Sequence, residues 1–102
     1  MAIEGIEITH KSSEARGEYR AAVPNSDAVG RLTWFARGDA RIADHTLVPP
    51  EIGGRGVAAA LVDALIADAK SEGFKIVPAC SYIAAQFKRH PEWSDLLAES
   101  SS

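Results

Sequence analysis

Polar and apolar residues alternate along the first half of the chain and then change period. Ile6 and Ile8 alternate with Glu7 and Thr9. Between residues 14 and 23, Ala15, Tyr19, Ala21 and Val23 share one face, and Arg16, Glu18 and Arg20 take the other. A period of two with one wet side predicts antiparallel strands. Pro24-Asn25-Ser26-Asp27 is a turn cluster. Residues 28 to 37 resume the alternation, with Leu32, Trp34 and Ala36 against Arg31, Thr33 and Arg37, until Gly38-Asp39 turns the chain. Ala40 to Val48 then reads as the fourth strand of a meander.

From Val57 the period becomes helical. Ala58, Leu61, Val62, Leu65, Ile66 and Ala69 form one apolar stripe, with Asp63, Asp68, Lys70 and Glu72 elsewhere, and Gly73 closes the run. Phe74 to Ala79 is a short apolar segment between Gly73 and Pro78, read as a strand parallel to Ala40–Val48 with the helix as crossover. Ser81 is placed to cap a second helix that turns Ile83 and Phe87 to the core, and Pro91 interrupts it. Trp93, Leu96 and Leu97 pack back on the domain, and the terminal Glu-Ser-Ser-Ser is expected to fray. The resulting architecture is α+β with an α/β-type core: a mixed, mostly antiparallel sheet of about five strands, a crossover helix and a second, C-terminal helix.

Between the fourth strand and the first helix lies Val48-Pro49-Pro50-Glu51-Ile52-Gly53-Gly54-Arg55-Gly56-Val57-Ala58. Glycines at a strand-to-helix turn let backbone approach a ligand closely, and the free N–H groups and dipole of the following helix favour a phosphate there. Two phosphate motifs fail on the letters. A Walker A loop needs Lys and Ser or Thr after its last glycine, where this chain has Val57. The dinucleotide fingerprint needs a third glycine where this chain has Ala59, and a strand near the start of a βαβ unit. Spacing alone leaves two readings open, a tight capping loop and a phosphate cradle.

Composition narrows the classes. With 102 residues, 46% of them hydrophobic, the chain has room for one core, and residues 1–102 read as one domain. No apolar run approaches membrane-spanning length, and the start of the chain lacks the regions of a secretory signal, so a cytoplasmic protein is expected. The formal net charge of −3 argues against non-specific nucleic-acid binding. His10, His45 and His90 have no ligand spacing, so no metal site is expected. Cys80 is the one cysteine and excludes a disulfide framework. Parallel neighbours end at the same sheet edge, which puts Cys80 near Val48, beyond the strand ends and before a helix N-terminus that lowers a thiol's pKa. The thiol reads equally as a packed core group or a reactive one.

The run Gly53-Gly54-Arg55-Gly56-Val57-Ala58 resembles the acetyl-CoA pyrophosphate loop of GNAT-type N-acetyltransferases. Gly56 and Ala58 match its two small positions, while Gly53 stands where Gln or Arg is usual. His45-Thr46-Leu47-Val48-Pro49, Pro78-Ala79-Cys80-Ser81-Tyr82-Ile83, His90-Pro91-Glu92-Trp93 and Asp95-Leu96 are similar to the motifs of the small, single-domain GNAT-like family. Ser81 departs from the Pro frequent there. The resemblance implies a truncated GNAT fold that uses acetyl-CoA. The pantetheine would lie where the strands splay, against Leu47 and Val48 and beside Cys80 and Tyr82. Gly53, Gly54, Arg55, Gly56, Val57 and Ala58 would hold the pyrophosphate, with Arg55 a partner for a CoA phosphate. Ordinary members carry helices between the first two strands, whereas only Lys11 to Ser13 separate them here, which leaves the acceptor side open to a large or protein amine.

Acetyl transfer from a thioester to an amine needs a base and donors for the oxyanion. Histidine is the side-chain type suited to moving a proton near neutral pH, and His45 is the candidate base, against a strand-end surface residue. Cys80 is the candidate acid for the leaving thiolate, or the nucleophile that accepts the acetyl group first. The letters set no carboxylate base at a defined position, which keeps open a non-catalytic CoA or acyl-CoA-binding module. A third class is an interaction protein working through an exposed Trp93 and Leu97. His90 reads as a helix C-terminal residue.

Overall fold

The computed structural model describes residues 5–53 and 56–98. Its strands β1 (Glu7–Ser12), β2 (Arg16–Ala22), β3 (Val29–Arg37) and β4 (Ala40–Leu47) form an antiparallel meander. Helix α1 (Val57–Glu72) crosses over to β5 (Lys75–Pro78), which pairs parallel to β4. Helix α2 (Ser81–Arg89) and a 3₁₀ segment, Pro91–Leu96, complete the chain. The five-stranded mixed sheet in the order β1-β2-β3-β4-β5 is the architecture expected from the alternation. Phe74 and Ala79 fall just outside β5, and the expected fraying concerns residues 99–102, outside the described residues.

The sheet is covered on one face. Tyr19, Ala21, Leu32 and Trp34 are buried at alternate positions, and they meet Val57, Leu61, Val62, Leu65 and Ala69 of α1 and Ile83 and Phe87 of α2 in one core. Ala15 and Ala36 are exposed, against their expected place on the apolar face, because β2 starts at Arg16 and β3 leaves the helix cover after Trp34. At Gly30 the side chains of α1 pack directly on the strand backbone: a Cβ there would stand 2.7 Å from Val57 Cγ1 and 3.4 Å from Leu61 Cδ1.

Register changes once inside the β3–β4 ladder. Thr33 pairs with His45 but Trp34 pairs with Ala43, so Asp44 is an extra residue in β4, a β-bulge. On the covered face, away from the glycine turn, polar groups interlock. His10 stacks on Tyr19 with ring centroids 4.0 Å apart, and its Nε2 accepts the Trp34 indole N–H at 3.1 Å. Tyr19 donates to Asp68 at 2.6 Å, and Asp68 lies 3.8 Å from His10 Nδ1. Arg41 is held flat between the rings of Trp34 and Phe74, 4.0 and 3.9 Å from their centroids.

In the C-terminal third one expectation is corrected, the cap of α2, and another, the packing of Trp93 back on the domain, is met. Ser81 is the first residue of α2 rather than its cap; Cys80 takes the cap position in an extended conformation, with no side-chain capping bond. Trp93 is buried, at 7% exposure, edge-on to Phe87 at 5.5 Å and stacked on His90 at 4.1 Å. Of the two residues on which the interaction-protein alternative relied, only Leu97 is exposed, and it bridges to Ile76 at the sheet edge.

Candidate active site at the fork between β4 and β5

The parallel ladder between β4 and β5 runs from Ala40↔Lys75 to Ala43↔Pro78 and stops. The Ala43 carbonyl accepts the N–H groups of both Ala79 and Cys80, each at 3.0 Å, which turns β5 off into α2. Beyond that point Thr46 and Leu47 stay paired with β3 only, Leu47 is 63% exposed, and their other edge faces a fork. Unpaired strand edge of this kind accepts an extended, amide-bearing ligand.

The N-terminus of α1 flanks the same fork. Gly56 precedes the helix with φ of 78°, the left-handed region that suits glycine. No side chain caps the first turn and no acidic residue occupies it, so the early N–H groups and the positive dipole end are available to an anion. Gly53 is exposed and closes the 3₁₀ turn Pro50–Ile52 with an N–H bond to the Pro50 carbonyl at 3.1 Å. Val57 is buried and Ala58 half-buried, so each presents backbone rather than side chain. Gly54 and Arg55 lie outside the described residues. An uncapped helix start beside an unpaired strand edge fits a ligand with a diphosphate and a peptide-like arm.

Cys80 and Thr46 meet across the fork, Sγ to Oγ1 at 3.7 Å. Burial pushes the Cys80 thiol's pKa up, but hydrogen bonds with the backbone at Ile83 and Tyr82 and with Thr46 outweigh it, leaving the pKa lowered. Tyr82, in the first turn of α2, is half-buried, and burial raises its phenol. Val48 is half-buried against the core, and the contact to Cys80 comes from Thr46, two residues earlier.

His45 leaves the sheet on the other side. Successive strand residues point to opposite faces, so His45, paired with Thr33, is exposed on the face without helices while Thr46 reaches Cys80 on the covered one. The fold therefore does not bring His45 and Cys80 together. It does bring forward a residue the periodicity passes over. Asp44, the bulged residue, accepts a hydrogen bond from Thr33 Oγ1 at 2.8 Å and sits directly after the carbonyl at which β4 and β5 part. A carboxylate directly before His45, which breaks the alternation of polar and apolar residues, was the available signal. His90 is the C-cap of α2 with Nδ1 3.0 Å from Glu92 Oε2, in a structural role. Among the described residues, no group of three or more His, Cys, Asp or Glu side chains could hold a metal ion, and no helix is long and apolar enough to cross a membrane.

The NMR solution structure of a GCN5-like protein from Staphylococcus aureus superimposes with a TM-score of 0.69, over 97% of this chain and 94% of that one. At 22% identity this is a likeness of fold. A family model described as GCN5-related N-acetyltransferase matches residues 18–96, from the middle of β2 to the end of the last 3₁₀ segment. With β3 to β5, both helices and the whole fork inside that match, the chain belongs to the GCN5-related N-acetyltransferase family.

Proposed function

We propose that this protein transfers the acetyl group of acetyl-CoA to an amine. The observation that carries this reading is the fork: an unpaired β4 edge, an uncapped α1 N-terminus and the Cys80 thiol converge on one opening. Backbone at Leu47 and Val48 would take the pantetheine amides, and backbone from Gly53 to Ala58 the pyrophosphate, with Arg55 pairing a phosphate. Tyr82 would flank the arm.

Transfer forms a C–N bond to the amine and breaks the C–S bond of the thioester, and the CoA thiolate leaves with a proton. Cys80 would either give that proton or, as thiolate, take the acetyl group first and pass it to the amine. Its lowered pKa supports the second route by raising the thiolate fraction above that of an ordinary thiol. The amine must lose a proton in either route. Asp44 and His45 lie on the face opposite the thiol, so an amine entering there would meet a proton acceptor before it meets the thioester.

The test is calorimetric titration with acetyl-CoA of the parent and of Gly56→Glu, which sets bulk and negative charge on the phosphate cradle. Binding by the parent alone is expected. Absence of binding by the parent would remove the function. Binding without transfer to any amine would favour the second reading, a CoA-binding module, for which the bare acceptor side is the specific support. A Cys80→Ala variant with undiminished turnover would exclude both roles of the thiol.

A further inference from the structure

The face of the sheet without helices carries an ordered charge pattern. Across the strands Lys11 pairs with Glu18, Glu18 with Thr33, and Thr33 with His45 and the bulged Asp44. On one side of that row, Arg16 lies opposite Phe35 and Phe35 opposite Ile42. On the other side Arg20 lies directly opposite Arg31. A groove of about 780 Å³ follows the first two rows, lined by Asp44, Thr33, Glu18, Phe35, Arg16 and Lys11.

The pattern is costly to the fold. Like charges directly opposite on a sheet destabilise it, and only Arg20 of the two arginines has a carboxylate partner among the described residues, Glu18. Lys11, Arg16 and Arg31 have none. Lys11, Arg16, Arg20 and Arg31 outnumber Glu18 and Asp44 here, in a chain whose net charge is −3. Asp44, which has no basic partner among the described residues, stands at the fork, with cations to either side and the 41%-exposed Phe35 between it and Arg16; Glu7 lies at the far end of the same face, one row beyond Arg20. Such a surface complements a positive point flanked by negative ones.

Resting on the proposed acetyl transfer, we propose that this face docks the acceptor, and that the acceptor is a protein segment presenting its amine among acidic residues. Asp44 holds the ammonium at the fork, and Arg16 with Lys11 on one side and Arg31 on the other hold flanking carboxylates. Strand spacing puts Arg16 roughly 12 Å and Arg31 about 8 Å from Asp44, or about two to four residues of extended peptide. A shallow groove on an open sheet suits a peptide; a small free amine would need an enclosed pocket to bury it.

The test uses three fluorescent peptides with a central lysine flanked at two to four residues on both sides by Glu, Gln or Lys. Anisotropy without acetyl-CoA should show the acidic peptide bound at least tenfold tighter than the Gln peptide, with the difference shrinking as salt rises. Arg16→Glu/Arg31→Glu should abolish that preference and leave acetyl-CoA titration unchanged. Arg31→Glu alone should not lower the unfolding midpoint, because it gives Arg20 an opposite charge; if the double variant fails to fold, Arg16→Gln/Arg31→Gln replaces it. Equal binding of the three peptides, tighter binding of the Lys peptide, or equal affinity for free glutamate each overturns the proposal while acetyl transfer stands. If acetyl-CoA does not bind at all the enzymatic reading falls, and the anisotropy series still decides the surface.

Discussion

Gly30→Ala tests whether the seating of α1 on the sheet controls the fork. The added Cβ would lie 2.7 Å from Val57 Cγ1, 3.4 Å from Leu61 Cδ1 and 3.7 Å from the Leu47 carbonyl oxygen. Val57 is 1% exposed, in the first turn of α1, and β-branched, so its methyl cannot swing away cheaply. Overpacking of this kind costs about 1–3 kcal/mol, offset by about 0.4–1 kcal/mol from a less flexible unfolded chain. Taking the middle of each range, the net loss is about 1.3 kcal/mol, a fall in Tm of roughly 5–10 °C for a domain this size. Urea unfolding measures it, and acetyl-CoA titration of the folded variant should show weaker binding, because relief of the clash lifts the helix N-terminus. Val57→Ala alone loses about 1–2.5 kcal/mol to a cavity. The double variant should lose about 1 kcal/mol less than the two losses added, since the new methyl occupies the vacated space. Strict additivity, or a Gly30→Ala protein as stable as the parent, would refute the account.

Three further outcomes follow from the geometry. Alkylation of Cys80 by iodoacetamide should reach half its limiting rate below pH 9.0, the ordinary thiol value, and Thr46→Val should move that midpoint up; a midpoint at or above 9.0 would contradict the hydrogen-bond argument. Burial lowers the pKa of His10 against the opposing pull of Asp68, so its NMR titration midpoint should fall below 6.5, with the Trp34 indole N–H shifting in parallel as its acceptor is lost. The unfolded chain then takes up that proton first, so the contribution of His10 to stability is full above pH 6.5 and declines as pH falls toward the folded value; an unshifted midpoint would sink this. Trp93→Ala should cost about 3–5 kcal/mol by thermal melting, as for a buried aromatic, whereas a surface residue would cost under about 0.5 kcal/mol.

Most of the architecture was legible because two periods divide the chain cleanly. The helical stripe from Val57 and the stop at Gly73 give α1 its observed ends. Alternation around Tyr19 and Leu32 gives β2 and β3 their faces, and fails at Ala15 and Ala36, where a side chain too small to report burial was assigned by phase alone. The fork was legible through the glycine turn, the helix start and Cys80. The bulge was not, since one extra residue leaves the composition of a strand unchanged. Reading 40–48 simply as a strand therefore passed over Asp44 and left the side taken by His45 open. The packing of Trp93 back on the domain was legible, but its partners Phe87 and His90 were not, since they come from the preceding helix and its C-cap and no periodicity connects them.

The extra residue at Asp44 also sets a tolerance rule for the chain. Upstream of it Arg41 and Ala43 point to the helices; downstream Thr46 does, three positions after Ala43 instead of two. Deleting one residue between Ala43 and Thr46 would remove the bulge and leave Thr46 two positions after Ala43, still facing the helices and Cys80, with Leu47 still on the open face. A one-residue deletion elsewhere in β4, where alternation is already regular, would instead exchange the faces of one part of the strand relative to the other. Single deletions should therefore be better tolerated at Asp44 than at any other position of the strand.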